Sequence, residues 1–402
     1  MVTAEFNPLA PGMLGNPYQM YRLLREQAPV YWSPVMEAWI LTRYDDADFV
    51  LTDPRFSADR SKGRNRFSEM INQQEQEFGP FSRVQTMLSS DPPDHTRLRR
   101  LVSKAFTPRA VEELRPRIQQ IVDGLLDEAE KLGEFDLVNE VAYPLPVIVI
   151  AEMLGVPPED RTNFKRWSAD VVQTLGGPFV PPEVFQKARA SLEELAEYLR
   201  AFIADRRQNP RNDLISRLVA AEDEGRILSE DEIFATAILL LIAGNETTTH
   251  LIGSGMLALF RNPEQMQRLR DDPSLMPSAV EELLRYSGPV HLTARVPKED
   301  VEIAGQKIEE GLVCIALLAA ANRDPAKYAD PETLAVGRNP TDHLGLGDGI
   351  HFCLGAPLAR AEAQLSIGTM LRRFPNLKCH DLDPEWGGTF IIRGVKTLSV
   401  SA

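Results

Sequence analysis

The chain has 402 residues, 43% of them apolar and 25% charged, with a formal net charge of −14. This apolar share suffices for a large buried core. The acidic balance argues against a nucleic-acid binder, which needs a basic footprint for phosphate, and against docking on an anionic membrane.

The N-terminus lacks the basic-then-apolar order of a signal peptide, and the longest apolar stretches, such as Ala237–Gly244, fall short of a bilayer span. The three cysteines, Cys314, Cys353 and Cys379, are odd in number and far apart, which fits a reducing compartment rather than a disulfide framework. A cytoplasmic protein with no membrane contact is expected.

Apolar residues recur at helical spacing over Pro17–Ala28, Tyr44–Leu51, His95–Phe106 and Arg109–Leu132. The pattern continues over Leu145–Leu154, Pro182–Gln208 and Asp213–Glu222. Ser229–Phe260 predicts a helix of about 30 residues, or ~45 Å. Ser229-Glu230-Asp231-Glu232 gives it a capping box, and Asn262-Pro263 ends it. Pro277–Tyr286 and Pro357–Phe374 are the later helices. Short strands are predicted at the two ends of the chain: Val30–Trp32 and Ala38–Thr42, then Val301–Ile303, Lys307–Ile308, Leu312–Ala316, Thr389–Ile392 and Thr397–Val400. Ser57–Ser90 and Gly176–Pro182 lack periodicity and read as irregular loops, the first long enough to suggest function. No repeat or linker divides the chain. The expectation is a mainly α protein with a minor β component in small antiparallel sheets, as one domain over residues 1–402.

Between His343 and Gly355, four glycines precede or follow a single cysteine, Cys353. Glycine allows positive φ and close approach of backbone to a flat partner. Cys353 stands just before a helix with Pro357 in its first turn. A thiolate there is stabilised by unpaired N–H groups and the helix dipole, which suits an iron ligand. In the long helix, Ala243, Glu246, Thr247 and His250 fall near one face by their spacing. A Thr247 hydroxyl can bond the carbonyl of Ala243 and bend the helix. In Val280-Glu281-Glu282-Leu283-Leu284-Arg285, spacing alone leaves open which glutamate pairs with Arg285. His95 and Arg99 share a helix face at i,i+4.

Gly347, Gly349, His351, Cys353 and Gly355 resemble in register the cytochrome P-450 signature Phe-Gly-x-Gly-x-His/Arg-x-Cys-x-Gly, with Leu346 in place of the aromatic. Ala243-Gly244-Asn245-Glu246-Thr247-Thr248 is similar to the same family's Ala/Gly-Gly-x-Asp/Glu-Thr-Thr motif. The resemblance runs from about Asn16 to the end. It implies the single-domain P-450 fold, with the long central helix over a haem b. It implies Cys353 as the metal ligand, and His95, Arg99, Arg295 and His351 as donors to the propionates. It gives Thr247 and Glu246 the catalytic handling of dioxygen and protons. It selects Glu282 with Arg285, and adds Arg338, as a structural network; His343 is structural. Leu346 puts the redox potential in question, and His250 matches no family role.

The activity so implied is that of a monooxygenase, inserting one oxygen atom from dioxygen into a C–H bond of a hydrophobic small molecule of the polyketide, fatty acid or terpenoid class. Electrons come from a separate ferredoxin or flavodoxin with its NAD(P)H-dependent reductase, and Arg97, Arg100 and Lys104 form a basic face that can steer it. The pocket wall is expected at Leu239, Leu240, Ala243, Val290, Leu292 and Ile391. Arg60, Arg64, Arg66 or Arg83 is a candidate partner for a substrate carboxylate. A monomer is expected. The alternatives are a peroxide-driven peroxygenase or other haem-thiolate oxidation, a non-catalytic haem-thiolate sensor, and a haem-free helical binding protein.

Overall fold

The computed structural model describes residues 6–8, 10, 12–77, 86–174, 181–223 and 225–402. Its axis is the helix Glu230–Arg261, 32 residues long, or about 48 Å. The Ser229 hydroxyl accepts from the Glu232 amide, and the Glu232 carboxylate accepts from the Ser229 amide, so the capping box is present as the sequence indicates. From Thr248 to Phe260 every residue is buried. A helix apolar on all sides belongs inside a protein, and this one is packed by Pro144–Leu154, Met276–Ser287 and Ala356–Arg373. Pro108–Leu132 in turn covers Ala356–Arg373. One continuous apolar cluster joins these helices.

The β structure stands beside this body. Five strands run in the order Val30–Ser33, Ala38–Leu41, Cys314–Ala316, Thr293–Pro297 and Phe56–Ser57. The expectation of small antiparallel sheets needs correction here. Ala38–Leu41 pairs in parallel with Cys314–Ala316, with Trp39 opposite Cys314. Parallel neighbours need a long crossover, and most of the helical body supplies it. Thr293–Pro297, which shows no clear alternation in sequence, is a strand buried through Pro297 from Ala294. Other corrections follow from tertiary packing. Thr389–Ile392 is not a strand but the turn of a hairpin between Trp386–Gly388 and Arg393–Val395. The segment Ser57–Ser90 contains a helix, Arg66–Glu77, and Arg161–Val172 and Pro263–Asp271 are further helices. Arg83 and residues 176–180 lie outside the described residues. Among the described residues no helix is long and apolar enough to cross a membrane.

Candidate functional site

Cys353 sits at the end of a loop whose path is set by two residues at positive φ, Gly347 at 71° and Gly349 at 64°. The loop is pressed against the helix Met276–Ser287. A Cβ on Gly345 would stand 2.7 Å from the Leu284 carbonyl oxygen, so only glycine fits. The Cys353 amide donates to the Leu346 carbonyl at 2.9 Å. Burial pushes the thiol pKa up, while the amides of Gly355 and Ala356 and the charges of Arg99 and Arg360 pull it down. These N–H groups open the helix Ala356–Arg373, with Pro357 in its first turn. The sulfur therefore meets the positive end of a helix dipole.

The loop is anchored through both carboxylates that the sequence leaves ambiguous. Glu282 and Arg285, both wholly buried, form a bidentate pair at 2.7 and 2.8 Å. Arg338 adds a third bond to Glu282 at 3.1 Å. Glu281 has other partners: it accepts from Arg360 at 2.6 and 2.7 Å, and its carboxylate lies 3.1 Å from His343 Nε2. Burial alone would raise the Glu281 pKa, but these partners bring it down to about 2. His343 Nδ1 accepts from the Gly345 amide, so this pair of side chains links the helix to the start of the cysteine loop.

On one side of Cys353, cationic groups gather in excess of acids, with Asp91 the one carboxylate that acts on His95, Arg295 and His351. The rings of His95 and His351 lie 4.2 Å apart. Arg295, 5% exposed, donates only to Thr293 and the Ala294 carbonyl. Arg99 donates to the Phe352 carbonyl at 2.7 Å. Arg60, assigned in sequence only as a possible substrate contact, is half-buried here and reaches Thr293. None of Arg60, Arg99 and Arg295 has an ion pair among the described residues, and His95 Nε2 has no hydrogen-bond partner. The neighbouring Asp91 is held by Ser57, Ala58 and Lys62. Burial lowers the Arg295 pKa to about 10, with Arg60 next in effect, and lowers that of His351 to about 3, with Arg295 and His95 adding to it. A group of buried and half-buried donors that lower one another's pKa in this way fits a bound dianion. The two propionates of a haem are such a group, and the half-buried Cys353 beside them would hold its iron.

Near its middle, the central helix changes character for one turn. Ala243 is exposed and Gly244, Glu246 and Thr247 are half-buried, although the helix is buried beyond them. The Thr247 hydroxyl donates to the Ala243 carbonyl at 2.6 Å, the back-bond expected from spacing. Leu239, Ala243 and Thr247 follow at four-residue intervals and share one face. Leu240 joins the main core, with 8% exposure. Val290 and Ile391 are partly buried, with Val290 bridged to Ile392. Leu292 departs from the expected wall: it packs with Ala294 and Val296 against Tyr21 and Leu24. That is the strand face opposite Arg295.

Sequence reasoning missed Glu362. It is fully buried on the helix after Cys353, its side chain bonds Thr248, and burial raises its pKa to about 8. No motif marks it; only tertiary packing brings it to the central helix. His291 is buried, with Nδ1 3.1 Å from the Tyr21 hydroxyl. The basic face expected at Arg97, Arg100 and Lys104 is largely engaged: Arg97 pairs with Glu232, and Lys104 donates to the Glu222 carbonyl at 2.7 Å. Arg66, at the surface, pairs with Glu37.

Comparison with known proteins agrees with this geometry. The family profile described as Cytochrome P450 matches residues 37–386. Cytochrome P450 CYP107DY1 of Priestia megaterium is 45% identical over 350 residues, covering 85% of this chain and 83% of that protein. Polyketide biosynthesis cytochrome P450 PksS of Bacillus subtilis is 40% identical, covering 98% of both chains. Its solved structure superposes with a TM-score of 0.90 over 98% of this chain and 99% of that one, at 39% identity. The solved complex of P450BioI with an acyl carrier protein ligated to hexadec-9Z-enoic acid superposes at 0.87, with 36% identity over 96% and 98% of the two chains.

Proposed function

The chain belongs to the cytochrome P450 family and is a haem monooxygenase that oxidises hydrophobic molecules; from that premise we propose that Cys353 is its axial thiolate, that the cofactor is haem b, and that the reaction is hydroxylation of a C–H bond. The observation that carries the assignment is the pairing of one half-buried cysteine at a helix N-terminus with a cluster of Arg60, His95, Arg99, Arg295 and His351, whose three arginines have no ion pair among the described residues. When bound, the haem supplies dioxygen activation and transfer of one oxygen atom, and a thiolate ligand donates electron density to it.

The protein's own residues supply position and protons. The amides of Gly355 and Ala356 offset part of the cost of an anionic sulfur, which a bound iron would complete, and the arginine and histidine donors would fix the cofactor's orientation. Ala243 and Gly244 keep the helix surface low. The Thr247 hydroxyl, back-bonded to Ala243, is a fixed proton donor and acceptor at that surface, and Glu246 beside it is the acid that resupplies it. Retention of this pair favours the dioxygen route over a peroxide-driven one. The wall of Leu239, Ala243, Val290 and Ile391 is apolar, which suits a polyketide, fatty acid or terpenoid. The relatives named for polyketide biosynthesis and the carrier-bound fatty acyl complex support the first two classes. Electrons reach the site from a separate ferredoxin or flavodoxin with its reductase, and the enzyme works as a monomer.

An optical titration of the ferric protein with macrolides, free fatty acids, terpenoids and an acyl carrier protein loaded with hexadec-9-enoic acid tests the reading. A shift toward high spin with one class names the substrate type. Absence of any Soret band in haem-supplied protein would overturn the assignment.

A further inference from the structure

His250 lies one turn beyond Glu246 on the central helix and is 7% exposed. Neither of its ring nitrogens has a hydrogen-bond partner within the described residues. Leaving two such groups dry and unpaired is costly, so the position needs a reason. The ring is held from the outside by the C-terminal hairpin. A Cβ on Gly394 would collide with the imidazole, and one on Gly388 would stand 3.3 Å from Nε2. The hairpin brings no acid to it: Glu385 pairs with Lys396, and Arg393 turns to the carbonyls of Leu14 and Gly15. Within reach on the helix is the carboxylate of Glu246, whose Oε1 is 3.5 Å from Nε2. Tyr143, on the adjoining turn, also feels the charge of Glu246. The separation is longer than a direct bond and short enough to close by a small side-chain rotation or one water.

We propose that His250 is a positioning residue for the proton supply: the two-glycine notch of the hairpin presents its Nε2–H to Glu246 and fixes that carboxylate beside Thr247. The inference rests on the role assigned to Glu246 above. The hairpin thereby becomes part of the oxygen-handling machinery, although it carries no residue that touches it. Gly394 is required because the ring occupies the space of its side chain.

The test is the ring nitrogen spectrum of ¹⁵N-histidine-labelled holoenzyme in its diamagnetic reduced carbonyl form, with six histidines to resolve and His250→Phe to assign the signal. Glu246→Gln and Gly394→Ala should each shift the His250 Nε2 resonance while the other five stay in place; an unmoved resonance in Glu246→Gln overturns the proposal. With hexadec-9-enoic acid as probe, His250→Phe should lower product per NAD(P)H by roughly ten-fold, the size expected when a partner orienting a functional group is lost. Turnover driven by hydrogen peroxide should fall far less, and His250→Gln should restore part of the coupling. Equal loss by both routes would mean that the ring only fills space, and would overturn the proposal. Uncoupling in Glu246→Gln but not in His250→Phe would also overturn it, leaving the relay intact. Full coupling in Glu246→Gln, with the resonance still shifted, would remove the relay reading instead.

Discussion

At the scale of single residues, burial raises the pKa of both the Cys353 thiol and the Glu362 carboxyl. Cys353→Ser should abolish the thiolate-type Soret band of the reduced carbon monoxide complex, and an unchanged band would refute the ligand assignment. Thr247→Ala should divert reducing equivalents to peroxide, read as peroxide formed per NAD(P)H. Glu362 holds its proton to about pH 8 in the folded chain, against an ordinary value of 4.5. Between those values the folded state binds more protons than the unfolded one. Its contribution to stability is therefore complete below pH 4.5 and is lost as pH rises toward 8, by at most ~1.4 kcal/mol per unit. Glu362→Gln should keep the bond to Thr248 and flatten this slope. Urea midpoints at pH 5 and pH 8 that differ equally in both proteins would refute it. Cys353, Thr247 and Glu246 were legible in sequence because each sits in a short motif with fixed spacing. Glu362 and Arg60 were not, because what distinguishes them is burial beside residues far away in the chain.

At the scale of elements, the helix Met276–Ser287 is the support on which the cysteine loop rests. Arg285 bonds Glu282 and also the carbonyls of Asn322, Pro331 and Thr333. Arg285→Met leaves a buried carboxylate and three carbonyls short of donors. It should cost about 3–5 kcal/mol, seen as a fall in melting temperature and in the yield of haem-loaded protein; a drop under a degree would sink the idea. Ser229→Ala, which removes only half of a capping box, should cost about 1 kcal/mol. The long helices were legible from apolar spacing and their caps, Pro182–Gln208 to the residue. The strand carrying Arg295 and the hairpin holding His250 were not. The first is buried on both faces and shows no alternation, and the second turns at residues whose β-branched character suggested extended chain.

Across the whole molecule, strands from both ends of the sequence share a sheet, and the chief apolar cluster extends from Met87 to Val400. We expect the chain to behave as one cooperative unit. Loss of helical circular dichroism and loss of the Soret band should coincide in a single denaturant transition. Two separated transitions would show independent parts. The placing of strands near both ends of the chain was legible in the distribution of strand-like segments. The parallel pairing was not, because nothing local to Ala38–Leu41 specifies a partner so distant.

That pairing has a consequence for how the enzyme is made. Arg393 reaches back to the carbonyls of Leu14 and Gly15, and Cys314–Ala316 lies alongside Ala38–Leu41. Although domains commonly fold as they leave the ribosome, a nascent chain stalled between Gly355 and Arg393 holds the whole cysteine loop but lacks the Arg393 bonds to Leu14 and Gly15. Stable capture of the cofactor should therefore come late, once the C-terminal hairpin has been made and has docked.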